Sequence, residues 1–184
     1  HAEGTAMKKE INNQQNKSFM NNKYLKISIV TPSYNKGKFI EATINSIINQ
    51  NYSNLQYIIV DGASSDDSIN ILNKFHNNLY HWVSEPDGGQ SDALNKGFAK
   101  SDGEIMAYLN ADDFYCPWSF RLVNAIFINN PKVEWLTTLR PIILDSGGLP
   151  LFNPVLRGFS RKEFFQGKTL GCHEKHIGWI QQES

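Results

Sequence analysis

Short apolar runs alternate with segments of helical periodicity between residues 27 and 109. The runs are rich in β-branched and aromatic side chains, which predicts strands at residues 27–30, 57–60, 79–83 and 104–109. The intervening segments repeat apolar residues every three or four positions, which predicts helices over residues 38–49, 66–75 and 89–99. Alternation of this kind, with nearly continuous apolar strands, indicates an α/β fold. We expect a mainly parallel sheet covered by helices on both faces.

The pattern becomes less regular after residue 115. Residues 119–130 predict a helix that Pro131 stops, and residues 133–138 predict another strand. Two apolar stretches then flank residues 145–148 (DSGG), which predicts a hairpin. We interpret the change as a second role within one fold and divide the chain into residues 24–114 and 115–184.

The two ends differ from the rest. Residues 1–6 precede Met7 and resemble an expression remnant, and the Asn-, Gln- and Lys-rich residues 8–23 predict a flexible tail. The chain stops inside an apolar segment, residues 178–184, so we expect it to be truncated at its C-terminus.

Composition narrows the class of protein. The chain of 184 residues has 18 Lys+Arg against 18 Asp+Glu, a balance that disfavours a nucleic-acid binder relying on a general positive field. Two cysteines do not make a disulfide framework, and the apolar runs fall short of the roughly 20 residues that span a bilayer. We therefore expect a cytoplasmic protein with a packed core.

Polar, acidic or glycine-bearing sequence follows each of the first four predicted strands. These segments are residues 31–35 (TPSYN), 61–66 (DGASSD), 84–90 (SEPDGGQ) and 110–113 (NADD). In a parallel sheet all four lie at the carboxyl edge, where ligands of open α/β sheets bind. Each alone is equally well explained as turn chemistry, but four together predict a binding cleft.

The residue types at this edge suit a phosphate-bearing ligand and a cation. Asp112 and Asp113 follow an apolar strand, with Asn110 just before them, and oxygen ligands of this kind suit Mg²⁺ or Mn²⁺. Such a cation would stabilise a diphosphate leaving group. Asp61, at the end of the second strand, could accept hydrogen bonds from a base or ribose. The simpler alternatives are a turn cap at residues 112–113 and an Asx turn before Gly62.

Taken in order and at this spacing, the four segments resemble the family 2 glycosyltransferases over about residues 24–184. The resemblance implies a GT-A fold, with a nucleotide-sugar-binding half at residues 24–114 and an acceptor-side half at residues 115–184. It further implies a nucleotide-sugar donor, commonly a UDP-sugar, a divalent metal (Mn²⁺ or Mg²⁺), and inverting transfer to an acceptor hydroxyl. The expected acceptor is a glycan or lipid-linked saccharide of polysaccharide or glycoconjugate synthesis, reached at the inner face of the membrane.

Matching positions supply the expected site residues. By resemblance, the residues of the donor pocket are Thr31, Pro32 and Tyr34 around the nucleoside, Asp61 on the base, and Asp87, Asp92 and Lys96 near the sugar and diphosphate. Residues 110–112, Asn110-Ala111-Asp112, stand where the family has its Asp-x-Asp motif, so Asp112 is the expected metal ligand, with Asp113 beside it.

Two positions depart from the family pattern. Asn110 replaces the first acid of the motif, and an amide is a weaker ligand than a carboxylate, so Asn110 would act through water or orient Asp112. Gly62 follows Asp61 where many relatives carry a second acid, which weakens the choice of uracil.

Inverting transfer also needs a carboxylate that accepts the proton of the acceptor hydroxyl. Residues 181–184 resemble the start of a family segment on the acceptor side, which makes Glu183 the candidate base, with Asp92 and Asp113 next. The alternative for Glu183 is a solvated carboxylate at a chain end.

Two other functions remain open from the sequence. A nucleotide-sugar-binding module without turnover is favoured by Asn110, and donor hydrolysis would exclude it. A nucleotidyltransferase is disfavoured because no basic glycine-rich loop follows the first strand, and release of pyrophosphate would support it.

Overall fold

The computed structural model describes residues 24–137 in full and, beyond them, the backbone of three short strands. The strands are β1 (Ile27–Ser33), β2 (Leu55–Asp61), β3 (His81–Ser84), β4 (Ile105–Tyr108), β5 (Trp135–Thr137), β6 (Ile143–Leu144), β7 (Pro150–Phe152) and β8 (Gly178–Gln181). The helices are α1 (Ile40–Ile48), α2 (Ser68–Lys74), α3 (Gln90–Phe98) and α4 (Ser119–Asn129), with a 3₁₀ turn at His76–Asn78. The strands and helices predicted up to residue 137 are therefore confirmed, with ends shifted by a few residues.

Six of the described strands form one sheet in the order β3-β2-β1-β4-β8-β5. Strands β1 to β4 are mutually parallel, with Ser33 opposite Asp61 and Asp61 opposite Ser84 at their carboxyl ends. The predicted, mainly parallel sheet is therefore confirmed, and the ends of the first three strands lie side by side.

Helices cover both faces of the sheet. On one face, apolar side chains of α1, α2 and α4 pack with Ile27, Ile29 and Ile59 in the larger core cluster. On the other face, Ala93 of α3 packs against Val30. Strands β1 and β2 are buried on both faces because of this double cover, which explains their nearly continuous apolar sequence.

Strand β8 was not predicted from the sequence, and it makes the sheet mixed. It lies between β4 and β5 and is antiparallel to both. The register pairs Gln181 with Ile105 and Trp179 with Ala107. The chain of β8 therefore runs from the carboxyl end of β4 towards its amino end.

The predicted hairpin is present as the antiparallel pair β6 and β7, which forms a separate two-stranded sheet. Its turn, residues 145–149, lies outside the described residues, as do the tail at residues 1–23 and Glu183. The division at residue 114 stays a prediction. Among the described residues, no helix is both long and apolar enough to cross a membrane.

Candidate nucleotide-sugar site

The four polar segments meet at the carboxyl edge of strands β1 to β4, as the sequence predicted. Direct hydrogen bonds join the loop after β1 to the loop after β2. The Asn35 amide donates to Ser64 Oγ at 2.8 Å, and Asn35 Oδ1 accepts from the Ser65 amide at 2.9 Å. Asn35 has a left-handed backbone with φ of 51°, a conformation that asparagine tolerates better than most residues.

Asp66 fixes the same two loops from the other side. Its carboxylate accepts the Gly37 amide at 2.8 Å and the amide and hydroxyl of Ser68, the first residue of α2, at 3.0 and 2.5 Å. The hydroxyl bond from Ser68 is the main reason why the pKa of Asp66 lies below its usual value. The Asp66 carboxylate thus bonds to the first turn of α2.

Asp61 lies beneath the loop after β2 and is fully buried. Its Oδ2 accepts from the Ser64 amide at 2.9 Å and from Ser84 Oγ at 2.7 Å, and its Oδ1 accepts from Ser64 Oγ at 2.5 Å. In this conformation Asp61 holds the loops after β2 and β3 together. A base or ribose reaches the carboxylate only if Ser64 or Ser84 releases it.

The residues expected to surround the nucleoside differ in exposure. Thr31 is buried, and its hydroxyl lies 3.2 Å from that of Tyr57 inside the core. Pro32 is also buried, within β1. The side chain of Tyr34, in contrast, is 63% exposed. Of these three, Tyr34 therefore offers an open surface for a ligand.

The loop after β3 turns into α3 through a network of charges. Lys96 Nζ lies 2.9 Å from Glu85 Oε1 and 3.3 Å from Asp92 Oδ2. The Glu85 hydrogen bond is the main cause of the raised pKa of Lys96. The Gly88 amide, 3.0 Å from Asp92 Oδ2, and then Lys96 keep the pKa of Asp92 below its usual value. Asp92 and Lys96 therefore both stay charged at neutral pH.

Asp87 lies close to Gly62, the position that departs from the family pattern. Its Oδ1 accepts the Gly89 amide at 2.8 Å, and a Cβ at position 62 would approach Oδ2 to 2.9 Å. Any side chain at position 62 would therefore push against Asp87. A second acid there would also place two carboxylates in contact, so the glycine and the position of Asp87 are mutually compatible.

The loop after β4 carries the metal candidates. Asn110 Oδ1 accepts from Gln90 Nε2 at 2.8 Å, and its Nδ2 donates to Asp113 Oδ2 at 3.1 Å. The hydroxyl of Thr43, in α1, donates to the carbonyl oxygen of Ala111 at 2.9 Å, so this helix supports the loop after β4. Asp112 is exposed and its Oδ2 lies 2.6 Å from Lys36 Nζ. The sequence had not singled out Gln90 or Lys36, because the sequence around a polar residue carries no signal of its distant hydrogen-bond partner.

Comparison with known proteins identifies the family. Residues 28–172, more than half of the chain, match Glycosyl transferase family 2. The chain belongs to this family. An uncharacterised glycosyltransferase of Mycobacterium tuberculosis is 34% identical over 155 residues, which are 80% of this chain and 56% of that protein.

Solved structures show the same GT-A fold. Staphylococcus aureus TarS 1–349 in complex with UDP-GlcNAc aligns with a TM-score of 0.58 at 23% identity, over 76% of this chain and 38% of that one. The mannosyltransferase PcManGT from Pyrobaculum calidifontis, in complex with GDP-Man and Mn²⁺, aligns with a TM-score of 0.57 at 25% identity, over 65% and 37%. The chain thus spans 56% of the length of the mycobacterial relative and less than half of the length of the two solved structures.

A divalent metal would be held at this site by only one or two carboxylates of the described residues. Among the described residues, no three His, Cys, Asp or Glu side chains cluster closely enough to hold a metal. Mg²⁺ and Mn²⁺ sites at phosphates, however, commonly use one or two carboxylates together with water and substrate oxygens. The exposed carboxylate of Asp112 meets that requirement, and Asp113 is the adjacent carboxylate, already bonded to Asn110. The Asn110 amide donates to Asp113 and not to Asp112, so in this structure Asn110 orients Asp113.

Proposed function

We propose that this chain binds the donor in an inverting, metal-assisted glycosyltransferase that moves a sugar from a nucleotide-sugar to an acceptor hydroxyl. The observation that carries the proposal is the edge of four bonded loops, with exposed Tyr34 and exposed Asp112 on it. Membership of family 2 supplies the reaction class. Polysaccharide or glycoconjugate synthesis, with a glycan or lipid-linked acceptor at the inner face of the membrane, remains part of this proposal.

The nucleoside is proposed to lie against Tyr34, whose open aromatic ring can stack on a base. Asp61 supports the loop beneath and contacts the base if Ser64 opens. Thr31 and Pro32 shape the pocket from within strand β1. Uracil is the base that the family resemblance implies, and guanine is tested beside it because the similar Pyrobaculum mannosyltransferase was crystallised with GDP-Man.

The diphosphate is proposed to lie between the loops after β1 and β4. A divalent metal held by Asp112 would neutralise the departing nucleoside diphosphate, and PcManGT, a similar protein, was crystallised with Mn²⁺. Asp87, Asp92 and Lys96 border the sugar and diphosphate from the α3 side. Lys96 is held there by Glu85 and Asp92, so its ammonium is placed before any donor arrives.

Glu183 is retained as the candidate base, but the direction of β8 weighs against it. Strand β8 ends at Gln181 beside Ile105, the amino end of β4, whereas Asp112 follows the carboxyl end of β4. Glu183 comes two residues after that strand end and lies outside the described residues. Asp92 and Asp113, the other two candidates, belong to the donor edge itself.

Thermal unfolding with added ligands tests the donor site. UDP with Mn²⁺ should raise the melting temperature by roughly 5–10 °C at about 100 times the dissociation constant, a gain of roughly 2.7 kcal/mol. Either component alone should give less. The Asp112→Ala variant should lose the metal-dependent part of the shift. No shift with UDP or GDP in the presence of Mn²⁺ would refute nucleotide binding at this edge.

Turnover separates the transferase from its alternative, a binding module that holds a nucleotide-sugar without reaction. The alternative is favoured by Asn110, whose amide is engaged by Gln90 and Asp113. Mass spectrometry of a panel of UDP- and GDP-sugars incubated with the protein should detect hydrolysis or transfer. Binding with no product from any donor would favour the binding module.

A further inference from the structure

Lys36 links the two loops between which the diphosphate is proposed to lie. It belongs to the loop after β1, and its Nζ lies 2.6 Å from Oδ2 of Asp112 in the loop after β4. Both side chains are partly exposed, at 37% and 40%. A positive charge therefore already lies on the carboxylate that a divalent metal would need.

Hydrogen bonds hold the backbone of Lys36 in place, so the loop that presents Lys36 to Asp112 is fixed at this point. The Lys36 amide donates to Ser68 Oγ at 3.2 Å, and the next amide, that of Gly37, donates to Asp66 at 2.8 Å. Asn35, the preceding residue, bonds to Ser64 and Ser65. Three successive residues are thus anchored to the loop after β2 and to the start of α2, while the Lys36 side chain crosses to Asp112.

Lys38 provides a matched comparison within the same segment. It is exposed and forms no ion pair with any other residue that the structure describes. The two lysines carry the same charge two positions apart, but only Lys36 contacts Asp112. An effect of the general positive field would be shared by both, whereas an effect of the contact would belong to Lys36.

We propose that Lys36 is a resident counter-ion of Asp112 that exchanges with the divalent metal. When the metal binds Asp112, the Lys36 ammonium leaves the carboxylate and pairs with the diphosphate of the donor. When no metal is present, the same ammonium supplies the positive charge for nucleotide binding. This inference rests on the proposed donor site and assigns Lys36 a donor-binding role there.

The exchange predicts opposite effects on two ligands. Lys36→Met should bind Mn²⁺ alone more tightly, by roughly 1.5- to 5-fold, because an exposed ion pair of ordinary strength no longer competes. The same variant should bind UDP in EDTA more weakly, by roughly 3- to 10-fold, because one charge-assisted contact is lost. Lys36→Arg keeps the charge and should stay near wild type in both, and Lys38→Met should change neither.

The experiment uses the 184-residue chain at constant pH and ionic strength. Free Mn²⁺ is counted by electron paramagnetic resonance, with Asp112→Asn marking the Asp112-dependent part, and UDP binding in EDTA is measured by calorimetry. Thermal unfolding in EDTA confirms that each variant is folded. Tighter Mn²⁺ binding with weaker UDP binding in Lys36→Met alone supports the exchange.

The other outcomes separate this inference from the proposed function. Unchanged Mn²⁺ affinity in Lys36→Met overturns the exchange. Mn²⁺ binding that Asp112→Asn does not reduce overturns it as well. Both conclusions hold whether or not UDP binds. Equal effects of Lys36→Met and Lys38→Met also overturn it, because they show a general field. If UDP binds no variant and not the wild type, the donor site itself fails, and the exchange is overturned with it because no diphosphate receives the ammonium.

Discussion

Helix α3 lies on strand β1 through a glycine, and Gly97→Ala tests how closely that contact is packed. A Cβ at position 97 would lie 2.3 Å from Cγ1 of Val30 and 3.2 Å from its Cγ2. Val30 is fully buried in β1, which has hydrogen-bonded neighbours on both sides. The strand cannot yield readily, so the helix would have to move out by about 1 Å to restore ordinary contact.

Two effects of opposite sign set the magnitude. Overpacking a well-packed core typically costs about 1–3 kcal/mol, and a contact this short against a central strand belongs at the upper end. Alanine in place of glycine in a helix contributes about 1 kcal/mol in the opposite direction. We therefore expect Gly97→Ala to lower the free energy of unfolding by about 2 kcal/mol. For a chain of this length that corresponds to a melting temperature lower by roughly 4–8 °C.

Urea unfolding of the ligand-free chain, followed by circular dichroism, measures this change. Gly88→Ala is the matched control, because a Cβ there would meet its nearest neighbour, Asp92 Cβ, at 3.6 Å, an ordinary contact. The control should stay within about 0.5 kcal/mol of wild type. A Gly97→Ala protein as stable as wild type would show that the helix adjusts freely and would refute the packing argument.

Three further predictions concern charged residues. Without any ligand, Asp61→Ala should lower the free energy of unfolding by roughly 1.5–3 kcal/mol, because a buried side chain that accepts three hydrogen bonds is lost. Asp112→Ala should lower it by less than about 1 kcal/mol, because only an exposed ion pair is lost. Equal losses in urea unfolding would contradict the roles assigned to the two residues. The Gly88 amide and then the Lys96 ammonium lower the pKa of Asp92. The stabilisation that the ionised Asp92 contributes is therefore full above the unfolded pKa of about 3.9 and is lost as the pH falls through the lower, folded value. Asp92→Asn should therefore flatten the loss of stability below about pH 4, and an unchanged acid limb in pH-dependent unfolding would argue against this. If Glu183 is the base, Glu183→Gln should reduce turnover by roughly 10²–10⁴ with little change in donor affinity. Full activity of that variant would direct the same steady-state assay to Asp92→Asn and Asp113→Asn.

The candidate site shows where sequence patterns stop being informative. The position of residues 110–113 followed from the apolar strand before them, because parallel strands end at one edge. That Lys36 contacts Asp112, 76 positions away, did not follow. Nor did the burial of Asp61 under Ser64 and Ser84, which depends on how two loops fold over the strand ends.

Local order along the chain was determined by the sequence itself. A strand such as β2 is recognised by a short, nearly continuous run of β-branched and aromatic residues, whereas a helix such as α1 repeats apolar residues about every 3.6 positions. The family motifs are equally local, since each occupies a single loop. Strand β8 could not be found in this way: its four residues, Gly178–Gln181, show no period, and their place between β4 and β5 is defined only by hydrogen bonds to distant strands. Long-range pairing of backbones and charges is a property of the folded chain, and it decided which side chains at the carboxyl edge contact one another.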